Sequence, residues 1–214
     1  MIDTQRVQQL LTSHPDVTIV MAVKYLPASG LQSALGAGLK HFGENRVEAL
    51  LEKQAALNDP QIVWHFFGTL QTKKVKHIIQ SLDVLHSLDR LTLAAEIAKR
   101  RQEPLPCFIQ INISHEPQKH GLEPHELGAF LEAIKAYPVI VPIGLMGMAE
   151  DTDDVDVIRA QFRRLRETLK AHQTHTPTLV SLSMGMSNDY EIAIEEGATH
   201  LRLGRILLAE QTGV

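Results

Sequence analysis

Residues 17–39 read Val17-Thr18-Ile19-Val20-Met21-Ala22-Val23-Lys24-Tyr25-Leu26-Pro27-Ala28-Ser29-Gly30-Leu31-Gln32-Ser33-Ala34-Leu35-Gly36-Ala37-Gly38-Leu39. The stretch from Val17 to Val23 is almost wholly apolar and rich in β-branched residues, as expected of a strand buried on both faces. Pro27 ends the extended run. Leu31, Leu35 and Leu39 then recur at helical spacing behind Ser29, a residue suited to capping a helix, and Gly38 suits the helix end. A doubly buried strand passing directly into an amphipathic helix is one β/α unit.

The unit recurs along the chain. Strands are expected near 17–23, 40–42, 62–66, 83–86, 105–111, 139–145, 178–182 and 200–203. Helices are expected near 4–12, 28–37, 44–57, 71–80, 89–101, 124–136, 153–170 and 188–196. Asp89, and Asp153 with Asp154, precede apolar-periodic runs as caps do. Pro104, Pro138 and Pro177 punctuate connections, and Gly197 fits a helix end. Eight strands alternating with helices is the count of an α/β fold of the (β/α)8 barrel type. An open doubly wound sheet usually has fewer strands and needs a reversal of strand order, which one sequence does not display. With no linker, low-complexity segment or charge block, residues 1–214 are expected to form a single domain. The helix before the first strand is expected to cover the barrel bottom.

The totals narrow the function. A net charge of −4 over 214 residues, with no aromatic residues interleaved in the Lys73, Lys74, Lys76 run, argues against a nucleic-acid footprint. No apolar run approaches a membrane span, and the N-terminus has no signal-like apolar core. The single cysteine, Cys107, lies in an apolar run and reads as a reduced core thiol, which fits a cytoplasmic protein. No His/Cys/Asp/Glu set has convincing metal spacing.

Chemistry in such barrels sits at the C-terminal ends of the strands. Lys24 ends the first strand there. Position alone fits an ordinary solvated lysine, but Met21, Ala22, Val23, Tyr25 and Leu26 give it an apolar collar. Desolvation lowers a lysine pKa and makes the amine nucleophilic towards a carbonyl. Ser183-Met184-Gly185-Met186-Ser187 precedes a helix and offers hydroxyls and N–H groups to a phosphate; the plainer reading is a helix start capped by Ser187 or Asn188. Arg202 interrupts an apolar strand, and an arginine is costly to bury unpartnered. Gly204 lets backbone N–H groups approach a phosphate, in the loop region where barrels often hold one. Asn45 and His65 also fall at strand ends, where a cap and a satisfied core histidine are the plain alternatives. Lys119 is a second amine in the loop after the fifth strand. A carbonyl-attacking lysine with a phosphate cradle is the minimum equipment for pyridoxal 5′-phosphate.

Several segments occur in a telling order: Phe42-Gly43-Glu44-Asn45, Trp64-His65-Phe66, Gly68 with Leu70-Gln71, Gln110-Ile111-Asn112-Ile113-Ser114, Gly144-Leu145-Met146, Leu182-Ser183-Met184-Gly185-Met186-Ser187 and Arg202-Leu203-Gly204. Any one is weak, but the ordered set resembles the pyridoxal phosphate homeostasis proteins, the YggS-like or PROSC-like family, related to the N-terminal barrel of alanine racemase. The match runs from about Val17 to Leu208. The resemblance implies a (β/α)8 barrel that holds pyridoxal 5′-phosphate as an internal aldimine on Lys24. It implies phosphate contacts from Ser183, Ser187, Gly204 and Arg205, places Arg202 by the pyridine nitrogen, and lines the pocket with Asn45, His65 and Met146. Three positions depart from the family pattern. Val23 stands where Ser or Thr often precedes the lysine, Lys73 replaces an Asn, and Arg205 replaces a small hydroxyl residue.

An arginine at the pyridine nitrogen can donate to it but cannot leave it protonated, so carbanion chemistry is weakened. Racemisation needs an acid–base group on each substrate face. In alanine racemases a second domain supplies a tyrosine for one face, and with the chain closing at Val214 that domain is expected to be absent. Tyr25 and Tyr190 are not placed opposite Lys24 by anything in the sequence. The expected function is a monomeric cytoplasmic carrier that exchanges the cofactor with amino acids, small amines or pyridoxal phosphate-dependent apo-enzymes. The alternatives are an amino-acid racemase or other weak catalyst, a cofactor-free barrel aldolase, and an interaction module with an empty pocket.

Overall fold

The computed structural model describes residues 1–114 and 120–209, so Lys119 lies outside the described residues, as does the side chain of Tyr25. The strands are β1 (Thr18–Ala22), β2 (His41–Glu44), β3 (Val63–Phe66), β4 (Val84–Leu88), β5 (Leu105–Gln110), β6 (Ile140–Met146), β7 (Ser181–Ser183) and β8 (His200–Leu203). They pair in sequence order, all parallel, and β8 returns to β1 through Thr18↔His200 and Val20↔Arg202. The sheet is a closed (β/α)8 barrel. Closure buries both strand faces, which is why β1 reads as a near-continuous apolar run.

The helices are α1 (Thr4–Ser13), α2 (Ala28–Gly36), α3 (Val47–Ala56), α4 (Val75–Ile78), α5 (Leu91–Arg100), α6 (Leu127–Ile134), α7 (Val155–Gln173) and α8 (Tyr190–Glu195). Asp154 caps α7 as expected, accepting from the N–H groups of Asp156 and Val157. The expected caps at Ser29 and Asp89 do not form. Pro27 and Arg90 hold those N-cap positions, and Asp89 pairs with Arg90 instead. The helix expected over 71–80 is a 3-10 turn, Thr72–Lys74, followed by only four α-helical residues. Gly38 and Gly197 leave their helices at φ of 96° and 91°, the left-handed region that suits glycine.

The first helix does not cover the barrel bottom. The Asp3 N–H donates to Leu207 O just past β8, and the Gln8 side chain reaches Ala37 O at the end of α2. Helix α1 therefore runs down the side of the barrel, beside α2, in the gap between β8 and β1. Its buried Val7 and Leu10 complete the outer ring.

Two apolar clusters result. The larger fills the space between barrel and helices. The smaller joins Val84, Phe108 and Met146 with Val63, Ile143 and Met148. It lies inside the barrel, because Phe108 of β5 stacks on His86 of β4 and meets His200 of β8 edge-on. Strands β6 and β7 approach closely at Gly144, where an added Cβ would sit 2.1 Å from Ser181 O. Gly144→Ala is expected to cost about 3 kcal/mol by overpacking, roughly 6–12 °C in Tm for a chain of this size. Thermal unfolding of the variant checks this, and an unchanged Tm would contradict the close approach.

Candidate functional site

The C-terminal strand ends bring Lys24, Asn45, Ser187, Gly204 and Arg205 to one rim. Lys24 follows β1 in a 3-10 turn, Val23–Tyr25. The turn sends Val23 and Leu26 into the core while Lys24 is exposed, so the expected apolar collar does not enclose the amine. Lys24 instead stands exposed at the mouth. Asn45 follows β2, is exposed, and gives its backbone N–H to the Glu44 carboxylate at 3.1 Å. Glu44 is wholly buried and its other oxygen takes a hydrogen bond from the buried Lys53.

The loops after β7 and β8 meet: the Gly204 N–H points to Ser187 Oγ at 3.4 Å, a long contact that leaves both groups open to a better partner. Arg205 is exposed in the 3-10 turn that follows. Asp189, rather than Ser187 or Asn188, holds the N-cap position of α8, and its side chain turns back so that Oδ1 accepts from the Met186 N–H instead of capping the helix.

Arg202 is buried and partnered. One guanidinium nitrogen donates to Ser183 O and Ser183 Oγ, both at 2.8 Å, and the other to Gly147 O at 3.0 Å. Burial pulls this guanidinium down to about 10, with Asp189 opposing, so it remains a cation at neutral pH.

Ser183 thus parts from Ser187. Strand β7 extends one residue further than expected, and the Ser183 hydroxyl lies inside the barrel, completely buried, between His86 and Arg202. It holds Arg202 rather than standing beside Ser187 at the rim. His65 and Met146 are also interior: His65 hydrogen-bonds two other histidines, and Met146 packs in the inner apolar cluster.

Sequence reasoning missed His41, His86 and His200. His41 Nδ1 lies 2.9 Å from His65 Nε2, His65 Nδ1 lies 2.7 Å from His86 Nε2, and His86 Nδ1 lies 2.8 Å from Ser183 Oγ. His200 contacts Thr199 Oγ1 at 2.9 Å and packs edge-on against His86. The available signal was a histidine at the start of β2 and of β8 and another within β4. Desolvation holds His65 and His86 well below the ordinary imidazole range, reinforced by neighbouring histidines and, at His86, by Arg202. Burial draws His200 down to about 4. These imidazoles are neutral in the folded protein.

In the unfolded chain each of these histidines charges near pH 6.5. The unfolded state therefore gains protons first as the pH falls. Stability is expected to decline below that pH by about 1.4 kcal/mol per pH unit for each such histidine. For His200 the decline ends near the folded value of about 4. Tm measured at steps from about pH 7.5 to 5 should fall steadily, and a flat profile would contradict neutral burial.

A lysine just after β1, a buried cation on β8 and a hydroxyl–amide pair at the β7 and β8 loops have the chemistry that a carbonyl compound bearing a phosphate would need. Among the described residues no group of His, Cys, Asp and Glu is arranged to hold a metal ion, and no helix is long and apolar enough to cross a membrane.

Residues 4–211 match the family model "Alanine racemase, N-terminal domain". A pyridoxal phosphate homeostasis protein of Aquifex aeolicus is 40% identical over 194 residues, covering 89% of this chain and 85% of the relative. The chain belongs to the pyridoxal phosphate homeostasis protein family. A second family member, from Pseudomonas aeruginosa, is also 40% identical, over 89% of this chain and 83% of its own length. Among solved structures, PipY of Synechococcus elongatus with pyridoxal phosphate bound superposes with a TM-score of 0.88 at 32% identity, covering 96% of this chain and 99% of PipY. Alanine racemase of Corynebacterium glutamicum shares the barrel, with a TM-score of 0.80 at 13% identity over 62% of its length. The pyridoxal phosphate homeostasis family therefore accounts for both the barrel and the ordered motifs on its rim.

Proposed function

We propose that this chain, as one domain over residues 1–214, binds pyridoxal 5′-phosphate at the C-terminal mouth of the barrel and serves as a carrier in the homeostasis of that cofactor. One observation carries the reading. Lys24, exposed just after β1, shares the C-terminal end of the barrel with the Ser187–Gly204 pair and with the buried Arg202 cation of β8. Names of relatives and the ligand of PipY support it.

The donor set fits the group. When bound, pyridoxal phosphate supplies an aldehyde that condenses with amines and a pyridine ring that can draw off electrons. Lys24 supplies the anchoring amine. Ser187 Oγ and the Gly204 N–H, with the exposed Arg205 beside them, receive the phosphate. Arg202 has three of its five N–H donors committed to Ser183 and Gly147, which leaves two for the ring side. Asn45 borders the mouth, while His65 and Met146 support it from below.

The same residues favour holding over turnover. Arg202 offers the ring nitrogen a hydrogen bond and no proton to keep, so the electron sink stays weak. Small amines and amino acids compete with Lys24 for the aldehyde, which provides release, and apo-enzymes that use the cofactor are the proposed recipients. A cytoplasmic monomer fits that role.

The test loads the protein with pyridoxal phosphate and adds excess L-alanine. Release of the cofactor without loss of optical rotation is the expected result. Sustained racemisation, absent in Lys24→Ala, would replace the carrier with an enzyme.

A further inference from the structure

The file of side chains through the barrel has a direction, and its chemistry fixes it. Arg202 forms the inner end. A guanidinium has only donors, so Arg202 donates to Ser183 Oγ at 2.8 Å. Ser183 then has one hydroxyl proton to give, and its other side-chain partner among the described residues is His86 Nδ1, 2.8 Å away. That nitrogen must be bare, and a neutral His86 carries its proton on Nε2. The proton points at His65 Nδ1, 2.7 Å away, which must also be bare. His65 in turn donates from Nε2 to His41 Nδ1 at 2.9 Å. The opposite direction would strand the proton of a completely buried serine without an acceptor.

The file links the two ends of the barrel. His41 is the first residue of β2, and Ser183 the last of β7. Strands β4 and β7 are not neighbours in the closed order, so the His86–Ser183 bond crosses the interior. The outer end is half-buried and borders a surface depression lined by Thr18, Gly38, Lys40 and His41.

We propose that His41, His65 and His86, each protonated on Nε2, are positioning residues that form a one-way hydrogen-bond relay fixing the Ser183 hydroxyl and, through it, the Arg202 guanidinium that faces the ligand. The relay rests on the reading above in one respect, that Arg202 faces the bound cofactor. A proton on His41 Nδ1 would oppose the His65 Nε2–H across 2.9 Å and break the outer joint. The grip on the ligand thereby depends on the proton state of a histidine at the far end of the barrel. Burial, with Lys40 adding to it, holds His41 below the ordinary imidazole range, and Asp83 opposes them. His41 in turn weighs on His65, His86 and His200. His200 and Arg202 also face His86, and Asp189 faces Arg202.

The decisive experiment uses the full chain without ligand. Nitrogen NMR of ring-labelled histidine should show the Nε2–H tautomer at His41, His65 and His86. Arginine labelling should show slowed rotation of the Arg202 guanidinium. His86→Phe should free that rotation. His86→Gln, whose amide can accept from Ser183 and donate to His65, should restore it. An Nδ1–H tautomer at His65 or His86, or an Arg202 indifferent to either variant, overturns the relay.

Pyridoxal phosphate titrations supply the functional arm. His86→Phe is expected to weaken uptake about tenfold, the effect of one unsatisfied buried hydroxyl, with His86→Gln within about threefold of wild type. Equal losses in both would mark a purely structural role and overturn the positioning claim. His41→Gln keeps an acceptor, cannot titrate and sits at a half-buried position. It should flatten the weakening of binding that wild type shows as the pH falls below about 6.5, since His41 is held under that value. An identical acid limb overturns the long-range coupling. Wild-type protein that takes up no cofactor would defeat the proposed function alone, with the NMR result still deciding the relay.

Discussion

Lys24→Ala protein is expected to lose its covalent hold on pyridoxal phosphate completely. Incubated with the cofactor and reduced with borohydride, it should yield no labelled peptide, whereas wild type should yield one. Among the exposed lysines, Lys24 is the one on the turn directly after β1, on the rim that Ser187, Gly204 and Arg205 share. Lys76, by contrast, lies on the outer helix α4. The loss should leave the fold intact, since an exposed side chain after the strand contributes little to the core. A weaker, non-covalent phosphate contact should survive at Ser187 and Gly204, visible as competition by inorganic phosphate. A single adduct of undiminished affinity in Lys24→Ala would place the anchor elsewhere.

The second large effect concerns stability at the same rim. Glu44 is wholly buried at the end of β2 and paired with Lys53 of α3, itself buried. Among the described residues its other hydrogen-bond partner is the Asn45 N–H at 3.1 Å. Lys53→Met would strand a buried carboxylate, at a cost of about 3–5 kcal/mol, or roughly 6–20 °C in Tm for a chain of this size. Glu44→Leu combined with Lys53→Met removes both charges and should recover much of the loss, because replacing a buried ion pair costs less than breaking one. Chemical denaturation of the two variants checks the ordering. A single variant as stable as wild type would mean that the pair is solvated in solution.

The barrel was legible because both faces of its strands are buried. The Val17–Val23 run and its successors carry that burial as continuous apolar sequence, and the rule that chemistry gathers at strand ends placed Lys24, Asn45, Gly204 and Arg205 on one rim. The positions that misled are those where the sequence pattern is local and the structure is not. An amphipathic pattern over 4–12 says that one face of α1 is buried but not against what, so its place between β8 and β1 could not be read. Ser29 and Asp89 have the chemistry of caps, yet Pro27 and Arg90 take the N-cap positions because the chain turns earlier or later than the apolar spacing suggests. Strand β7 is three residues long. An error of one residue at its end turned Ser183 from an inward strand position into a loop residue, and so from a partner of Arg202 into a phosphate ligand. The histidine file depends on a contact between β4 and β7, strands that are not adjacent, and no periodicity encodes it.

The central claim is that this barrel holds pyridoxal phosphate through Lys24. The most direct test is peptide mass mapping of wild-type protein mixed with one equivalent of the cofactor and reduced with borohydride. The account predicts a yellow absorption that borohydride removes and a single modified peptide spanning Val23 to Leu26, with the added mass on Lys24. A protein that stays colourless with no adduct, or an adduct on any other lysine, would contradict it.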